Sequence, residues 1–234
     1  MVGNRPQFIK SAPLSVALRE AGIDEVVLHT GQHYDPQMSQ VFFDELRIPP
    51  PAYALDLRTS DPAAMTDPIR EAVERERPDW VLVYGDTNST LAGALAAGDA
   101  PIAHVEAGLR SFDLSMPEER NRIEVDRRSA LLLCPDERSS AQLESEGMPG
   151  ARVVVGDVMA DATRLFAPLA PEPPFARPYV AVTIHRAANT EPERLRAITV
   201  ALGKSDAEFV FPVHPRTRHV LDRHAIDVLS LIHI

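Results

Sequence analysis

Short apolar runs alternate with helix-like stretches along the whole chain, and this alternation limits the fold more than any other feature. The runs EVVLHTG (25–31), WVLVYG (80–85), PIAHVEAG (101–108), ALLLCP (130–135), ARVVVGD (151–157), YVAVTIH (179–185) and EFVFPVH (208–214) are short, β-branched and bounded by Gly or Pro, as buried strands are. Between them, PQMSQVFFDEL (36–46), DPIREAVERE (67–76) and EPERLRAITVAL (191–202) carry helical periodicity. Such alternation predicts an α/β chain whose parallel sheets are covered by helices on both faces. Ligands of such sheets sit beyond the C-terminal ends of the strands, so chemistry is to be sought in the loops that follow them.

One shift in composition divides the chain. PLAPEPPFARP (168–178) carries five prolines and predicts a stiff linker between a domain over 1–167 and a second over 179–234. The ends suggest a truncated chain. Only Met1 and Val2 precede Gly3, where a doubly wound domain opens with a full strand, and VLSLIHI (228–234) has no turn or cap. SLIHI also reads like translated sequencing adaptor. The expectation is a first strand reduced to a stub with unpaired neighbours and a second domain with two convincing strands. A chain of that kind is expected to be inactive and marginally stable as it stands.

The net charge of -10 gives no electrostatic footprint for nucleic acid. Anion binding against that background needs a few converging cations rather than a basic face. No apolar run approaches the ~20 residues of a membrane span, and the opening MVGNRPQFIK has no apolar signal region. The single cysteine, Cys134, has no internal disulfide partner and suits a reducing cytoplasm.

The strand-end loops carry polar motifs, each open to a structural and a functional reading. GNRPQFIKSAP (3–13) is a Gly-led loop feeding a helix, with Arg5 and Lys10 either beside a bound phosphate or merely solvated. Asp86 in GDTNST (85–90) either caps the next helix or faces a ligand. In HVEAGLRS (104–111) Glu106 ends an apolar strand, where an unpaired carboxylate is costly, and a structural ion pair with Arg110 is its alternative role. In SMPEERNR (115–122), Ser115 and Glu118 have the spacing of a capping box, and Arg122 lies four residues beyond Glu118 on the same helix face. GQHYDPQMS (31–39) places Gln32 and His33 after an earlier strand, with Asp35 in N-cap position before Pro36. VTIHRAANT (182–190) ends a strand with His185 and Arg186, and PVHPRTR (212–218) repeats the design with His214 and Arg216.

In their order and near their spacing, these motifs, together with VLVYGDTNSTLAG and GDVMADA, resemble the non-hydrolysing UDP-N-acetylglucosamine 2-epimerases. The resemblance covers almost the whole chain. It implies two Rossmann-like domains of the glycosyltransferase B type, the second incomplete here, with the active site in the cleft between them. It implies interconversion of UDP-N-acetylglucosamine and UDP-N-acetylmannosamine for cell-surface polysaccharide precursors. UDP is eliminated across C1–C2 to give a 2-acetamidoglucal and re-adds after the proton returns to the other face. No cofactor is implied, neither nicotinamide nor metal. The implied partners are the UDP-sugar and a second subunit of a homodimer, without nucleic acid or membrane.

Carried over residue by residue, Asp86, Glu106 and Glu118 match the catalytic carboxylates and His185 the histidine facing the diphosphate. Arg5, Lys10, Arg110 and Arg122 become the expected substrate-binding cations. Gln32, His33, Arg186 and His214 match contacts of an allosteric UDP-sugar, although Asp35 stands where those enzymes have an amide. The wording RPQFIK and HYDPQMS also resembles the branch acting on UDP-2,3-diacetamido-2,3-dideoxyglucuronate. A Ser-Gly-Gly segment that grips the nucleotide in the family does not occur in these 234 residues. Two other readings are a glycosyltransferase of the same fold and a non-catalytic nucleotide-sugar-binding fragment.

Overall fold

The computed structural model describes residues 1–32, 43, 45, 46, 48–170, 178–228 and 232–233. The expected helix over 36–46 falls largely outside them. Met1–Ala170 and Pro171–Ile234 form two compact units.

In the first unit the strands β1 (Leu28–His29), β2 (Tyr53–Ala54), β3 (Val81–Tyr84), β4 (Ile102–Val105), β5 (Leu131–Cys134) and β6 (Ala151–Val154) alternate with helices. These are α1 (Arg5–Glu20), α2 (Pro62–Glu76), α3 (Asn88–Ala96), α4 (Pro117–Arg128), α5 (Glu137–Ser145) and α6 (Val158–Phe166). The ladder β3-β4-β5-β6 is parallel throughout, and β1 pairs in parallel with β2.

Side-chain alternation along a strand sends successive residues to opposite faces. Val81 and Val83 pack with Ala94, Ala97 and Val125 beneath α3 and α4. Tyr84 packs with Phe8 and Ala12 of α1. The sheet is thus covered on both faces, which explains why its strands read as continuous apolar runs.

The opening residues do more than the sequence suggests. The Val2 amide donates to Leu28 O at 2.9 Å and the Thr30 amide to Val2 O at 2.9 Å, while the Met1 amino group donates to Leu82 O at 2.8 Å. Met1 and Val2 therefore hydrogen-bond on one side to β1 and on the other to β3. The expectation of two unpaired neighbours is corrected: two residues suffice to hydrogen-bond to a strand about 5 Å away on either side.

The second unit has the parallel order β7 (Val180–Ala181), β8 (Phe209–Phe211) and β9 (Ile232–His233), with helices α7 (Ala187–Thr190), α8 (Pro192–Gly203) and α9 (Pro215–Arg223). It has its own apolar core, in which Ile184, Leu195, Phe209, Phe211, Leu221 and Ile226 are buried together. Among the described residues no helix is long and apolar enough to cross a membrane.

Candidate active site

Helix starts set the geometry at the C-terminal edge of the first sheet. After β3 the chain turns through Gly85, at φ +63°, into Asp86. The cap of α3 is Thr87: its hydroxyl accepts from the Thr90 amide, and the Thr90 hydroxyl accepts from the Thr87 amide. The capping reading of Asp86 is therefore corrected. A threonine one position later takes that role, and the Asp86 carboxylate is left to bind the Arg122 guanidinium of α4.

After β4 the chain enters Glu106 at φ +70°, left-handed backbone that a non-glycine residue adopts only under constraint. Its carboxylate binds Lys10 Nζ from α1. Arg110, its alternative partner from the sequence, is instead held by Asp126 and Glu146, at 2.8 and 2.6 Å. A Cβ added to Gly85 would stand 3.0 Å from Lys10 Nζ and 3.1 Å from Glu106 Oε2, so the Asp86 turn and the Lys10–Glu106 pair touch at a residue with no side chain.

Glu118 differs from the expected capping box. The N-cap of α4 is Met116, with Pro117 in the first turn, and Ser115 hydrogen-bonds to Asp113 instead. Proline fixes the first helical position and so moves the cap one residue beyond Ser115. The Glu118 side chain is exposed and, among the described residues, makes no hydrogen bond or ion pair. It nonetheless opens the helix whose Asn121 donates to Asp86 O at 3.0 Å and whose Arg122 binds Asp86, so it stands on the same sheet edge.

The buried carboxylate of this helix is Glu119, 1% exposed, which the sequence reading passed over. It accepts from the Ser111 amide (2.9 Å), the Ser111 hydroxyl (2.9 Å), the Phe112 amide (3.0 Å) and Arg122 (2.8 Å). Burial pushes its pKa up, but the Ser111 and Phe112 donors and the Arg122 guanidinium outweigh burial and hold it below the ordinary value. A depressed carboxylate contributes stability that is full above its unfolded-state value and is lost as pH falls through its folded value. Glu119→Gln is expected to remove about 2 kcal/mol near neutral pH. The difference from wild type should shrink in urea unfolding as pH is lowered below about 4, the region of a free glutamate.

Other expected residues are placed as follows. Arg5 is exposed in the first turn of α1. Gln32 accepts from the Ser89 amide at 3.2 Å and its hydroxyl at 2.7 Å, which joins the loop after β1 to α3. In the second unit His185 follows β7, and its ring lies 5.5 Å from that of His214. His214 caps α9, accepting from the Arg216 amide through Nδ1 at 3.1 Å, and Arg216 donates to His185 O at 3.2 Å. Arg186 stands at the start of α7. The structure thus gathers Asp86, Glu106, Lys10 and Arg122 with Glu118 on one sheet edge, and His185, Arg186 and His214 on another. His33 and Asp35 lie outside the described residues.

Each carboxylate on the first edge suits proton transfer at a sugar carbon, and each cation beside it suits a phosphate oxygen. Among the described residues no group of three or more His, Cys, Asp or Glu side chains is placed to hold a metal ion.

The family profile described as UDP-N-acetylglucosamine 2-epimerase matches residues 16–234. The chain is 44% identical to a Methanococcus maripaludis protein named UDP-N-acetylglucosamine 2-epimerase homolog, over 97% of this chain and 68% of that one. It is 46% identical to the Pseudomonas aeruginosa UDP-2,3-diacetamido-2,3-dideoxy-D-glucuronate 2-epimerase, over 95% of this chain and 68% of that one. Among solved structures, the Methanocaldococcus jannaschii UDP-GlcNAc 2-epimerase in complex with UDP-GlcNAc and UDP superposes with a TM-score of 0.85 at 34% identity. That match covers 100% of this chain and 71% of the other. The fold is α/β with parallel sheets, of the glycosyltransferase B type that the family resemblance implies. Motif order, strand-edge chemistry and these matches agree, and the chain belongs to the UDP-N-acetylglucosamine 2-epimerase family.

Proposed function

We propose that the full-length protein interconverts UDP-N-acetylglucosamine and UDP-N-acetylmannosamine by elimination and re-addition of UDP. The observation that carries this reading is the meeting of the Asp86 turn and the Lys10–Glu106 pair at Gly85, with Asp86 bound to Arg122 and Glu118 exposed in the first turn of the helix that carries Arg122.

The C2 proton is not adjacent to a carbonyl and has little acidity of its own. A carboxylate must remove it as the C1–oxygen bond breaks, the electron pair forming the C1–C2 double bond and UDP leaving with the bonding electrons. Cations then meet the charge that develops on the diphosphate. Inversion at C2 requires a proton to return from the other face, so one acid/base group is not enough. Asp86, Glu106 and Glu118 supply the carboxylates in this reading. Lys10, Arg5 and Arg122 supply cations of the first unit, and the family resemblance assigns His185 to the diphosphate. The family resemblance also matches Gln32, His33, Arg186 and His214 to contacts of an allosteric UDP-sugar. The single cysteine, buried at Cys134, supports a cytoplasmic setting, and the family resemblance supports a homodimer.

A second substrate is favoured by one observation, the 46% identity to the enzyme named for UDP-2,3-diacetamido-2,3-dideoxy-D-glucuronate. Incubation of the full-length protein with each sugar nucleotide in deuterated water decides between them. The true substrate gains deuterium at C2 and forms its 2-epimer. A glycosyltransferase or a binding fragment gives no exchange with either.

A further inference from the structure

The residue of the first unit that carries an inference beyond this reading is His104, which lies in the middle of an apolar strand and is 0% exposed. Both ring nitrogens are engaged. Nε2 is 2.7 Å from Gly85 O, and Nδ1 is 2.7 Å from Asp126 Oδ1. A carbonyl oxygen only accepts, so Nε2 carries the hydrogen of its bond. Asp126, also 0% exposed, takes the Gly108 amide at 3.3 Å and Arg110 at 2.8 Å on its second oxygen.

The two ends of this chain of contacts are the two turns that carry the carboxylates. Gly85 O belongs to the peptide unit joining Gly85 to Asp86. That unit is planar, so a rigid donor on its carbonyl sets the plane from which the Asp86 Cα and side chain project. Gly85 has the backbone freedom of glycine at φ +63° and no side chain to lock it. Its amide bond to Val105 O, at 3.0 Å, fixes only the preceding peptide. On the other side Glu106 follows His104 by two residues, and Gly108, whose amide Asp126 holds, closes the Glu106 turn.

We propose that His104 is a positioning residue for the epimerase reaction, orienting Asp86 against the Lys10–Glu106 pair through the Gly85 carbonyl. This rests on the epimerase reading given above. His104 touches no substrate in this role; it acts through Gly85.

Two substitutions separate positioning from simple support of the fold. The amide nitrogen of glutamine reaches the place of Nε2 and keeps a donor for Gly85 O, while Asp126 loses its ring partner. The amide of asparagine reaches only the place of Nδ1, which keeps Asp126 satisfied and abandons Gly85. If the ring merely supports the fold, the variant that strips a partner from the buried charge, His104→Gln, is the more damaged in both stability and rate. If it positions Asp86, the order of the rates is reversed.

In full-length protein, His104→Asn is expected to lower kcat for C2 exchange by about 10²-fold, the effect of a small misplacement of a reacting group. His104→Gln should stay within roughly 5-fold of wild type, and KM should change by less than about 3-fold in both. The glutamine variant is expected to melt no higher than the asparagine variant. Equal losses in kcat, or losses that follow melting temperature, would overturn this assignment while wild-type exchange left the functional reading intact. No exchange in the wild-type protein would overturn both.

Discussion

Replacing Glu118 by glutamine in the full-length protein is expected to slow C2 exchange by about 10²-fold or more and to leave the unfolding midpoint almost unchanged. The structure makes this the most direct test among the three carboxylates. Asp86 and Glu106 are each tied to a cation, so changing either also releases Arg122 or Lys10. Glu118 has no such tie among the described residues and is exposed in the first turn of α4. Its contribution to folding is limited to its favourable place near the helix N-terminus, about 0.3–1 kcal/mol for a full charge. In a capping box glutamine would have served nearly as well as glutamate, but that box is not formed. A glutamine keeps the shape and loses the ability to move a proton at neutral pH. Exchange into C2 in deuterated water, set beside thermal unfolding of the same preparation, reads both quantities. Near-wild-type exchange in the variant would remove Glu118 from the chemistry.

The second large effect falls on Arg110, which the sequence places among the expected substrate-binding residues. Its side chain is 2% exposed, and its guanidinium is spent on Asp126 at 2.8 Å, Glu146 at 2.6 and 3.0 Å and the Leu109 carbonyl at 2.8 Å. Burial alone would lower its pKa; Glu146 and Asp126 outweigh burial and raise it. Arg110 in turn holds the Glu146 carboxyl below its ordinary value. Arg110→Met removes the cation and leaves Asp126, fully buried, with His104 and the Gly108 amide alone. Breaking a buried pair from one side costs about 3–5 kcal/mol because a charge is left uncompensated. The expected result is a loss of that order in denaturant unfolding, with KM for the sugar nucleotide little changed in the fraction that remains folded. A variant of normal stability with a strongly raised KM would return Arg110 to the substrate.

Much of the candidate site is legible without coordinates because its residues sit where the chain pattern puts them. Asp86 and Glu106 each follow an apolar run, and in a parallel sheet adjacent runs end on the same edge. The alternation that identifies β3 and β4 therefore also brings these two carboxylates to one place. Lys10, near the start of α1, comes to the same edge for the same reason.

What the chain pattern does not decide is which neighbour each polar group takes. Ser115 and Glu118 have capping spacing, yet Met116 is the cap. Asp86 has a capping position, yet Thr87 caps and Asp86 binds Arg122. Arg110 lies four residues from Glu106, yet Lys10, 96 residues away, is its partner. Local spacing shows which groups are within reach; the choice among them depends on desolvation, and desolvation depends on how helices lie over the sheet. The same cause hid His104, Asp126 and Glu119. A polar residue on a buried strand or helix face keeps its place only when distant groups satisfy it, and for His104 those are Gly85, 19 residues before it, and Asp126, 22 residues after it. The sequence by itself determined the α/β architecture and the sheet edge on which acid and base residues gather, because periodicity and strand ends are local properties. Only the tertiary structure decided which carboxylates stand exposed and which are locked in buried ion pairs, because burial is a property of packing between segments far apart in the chain.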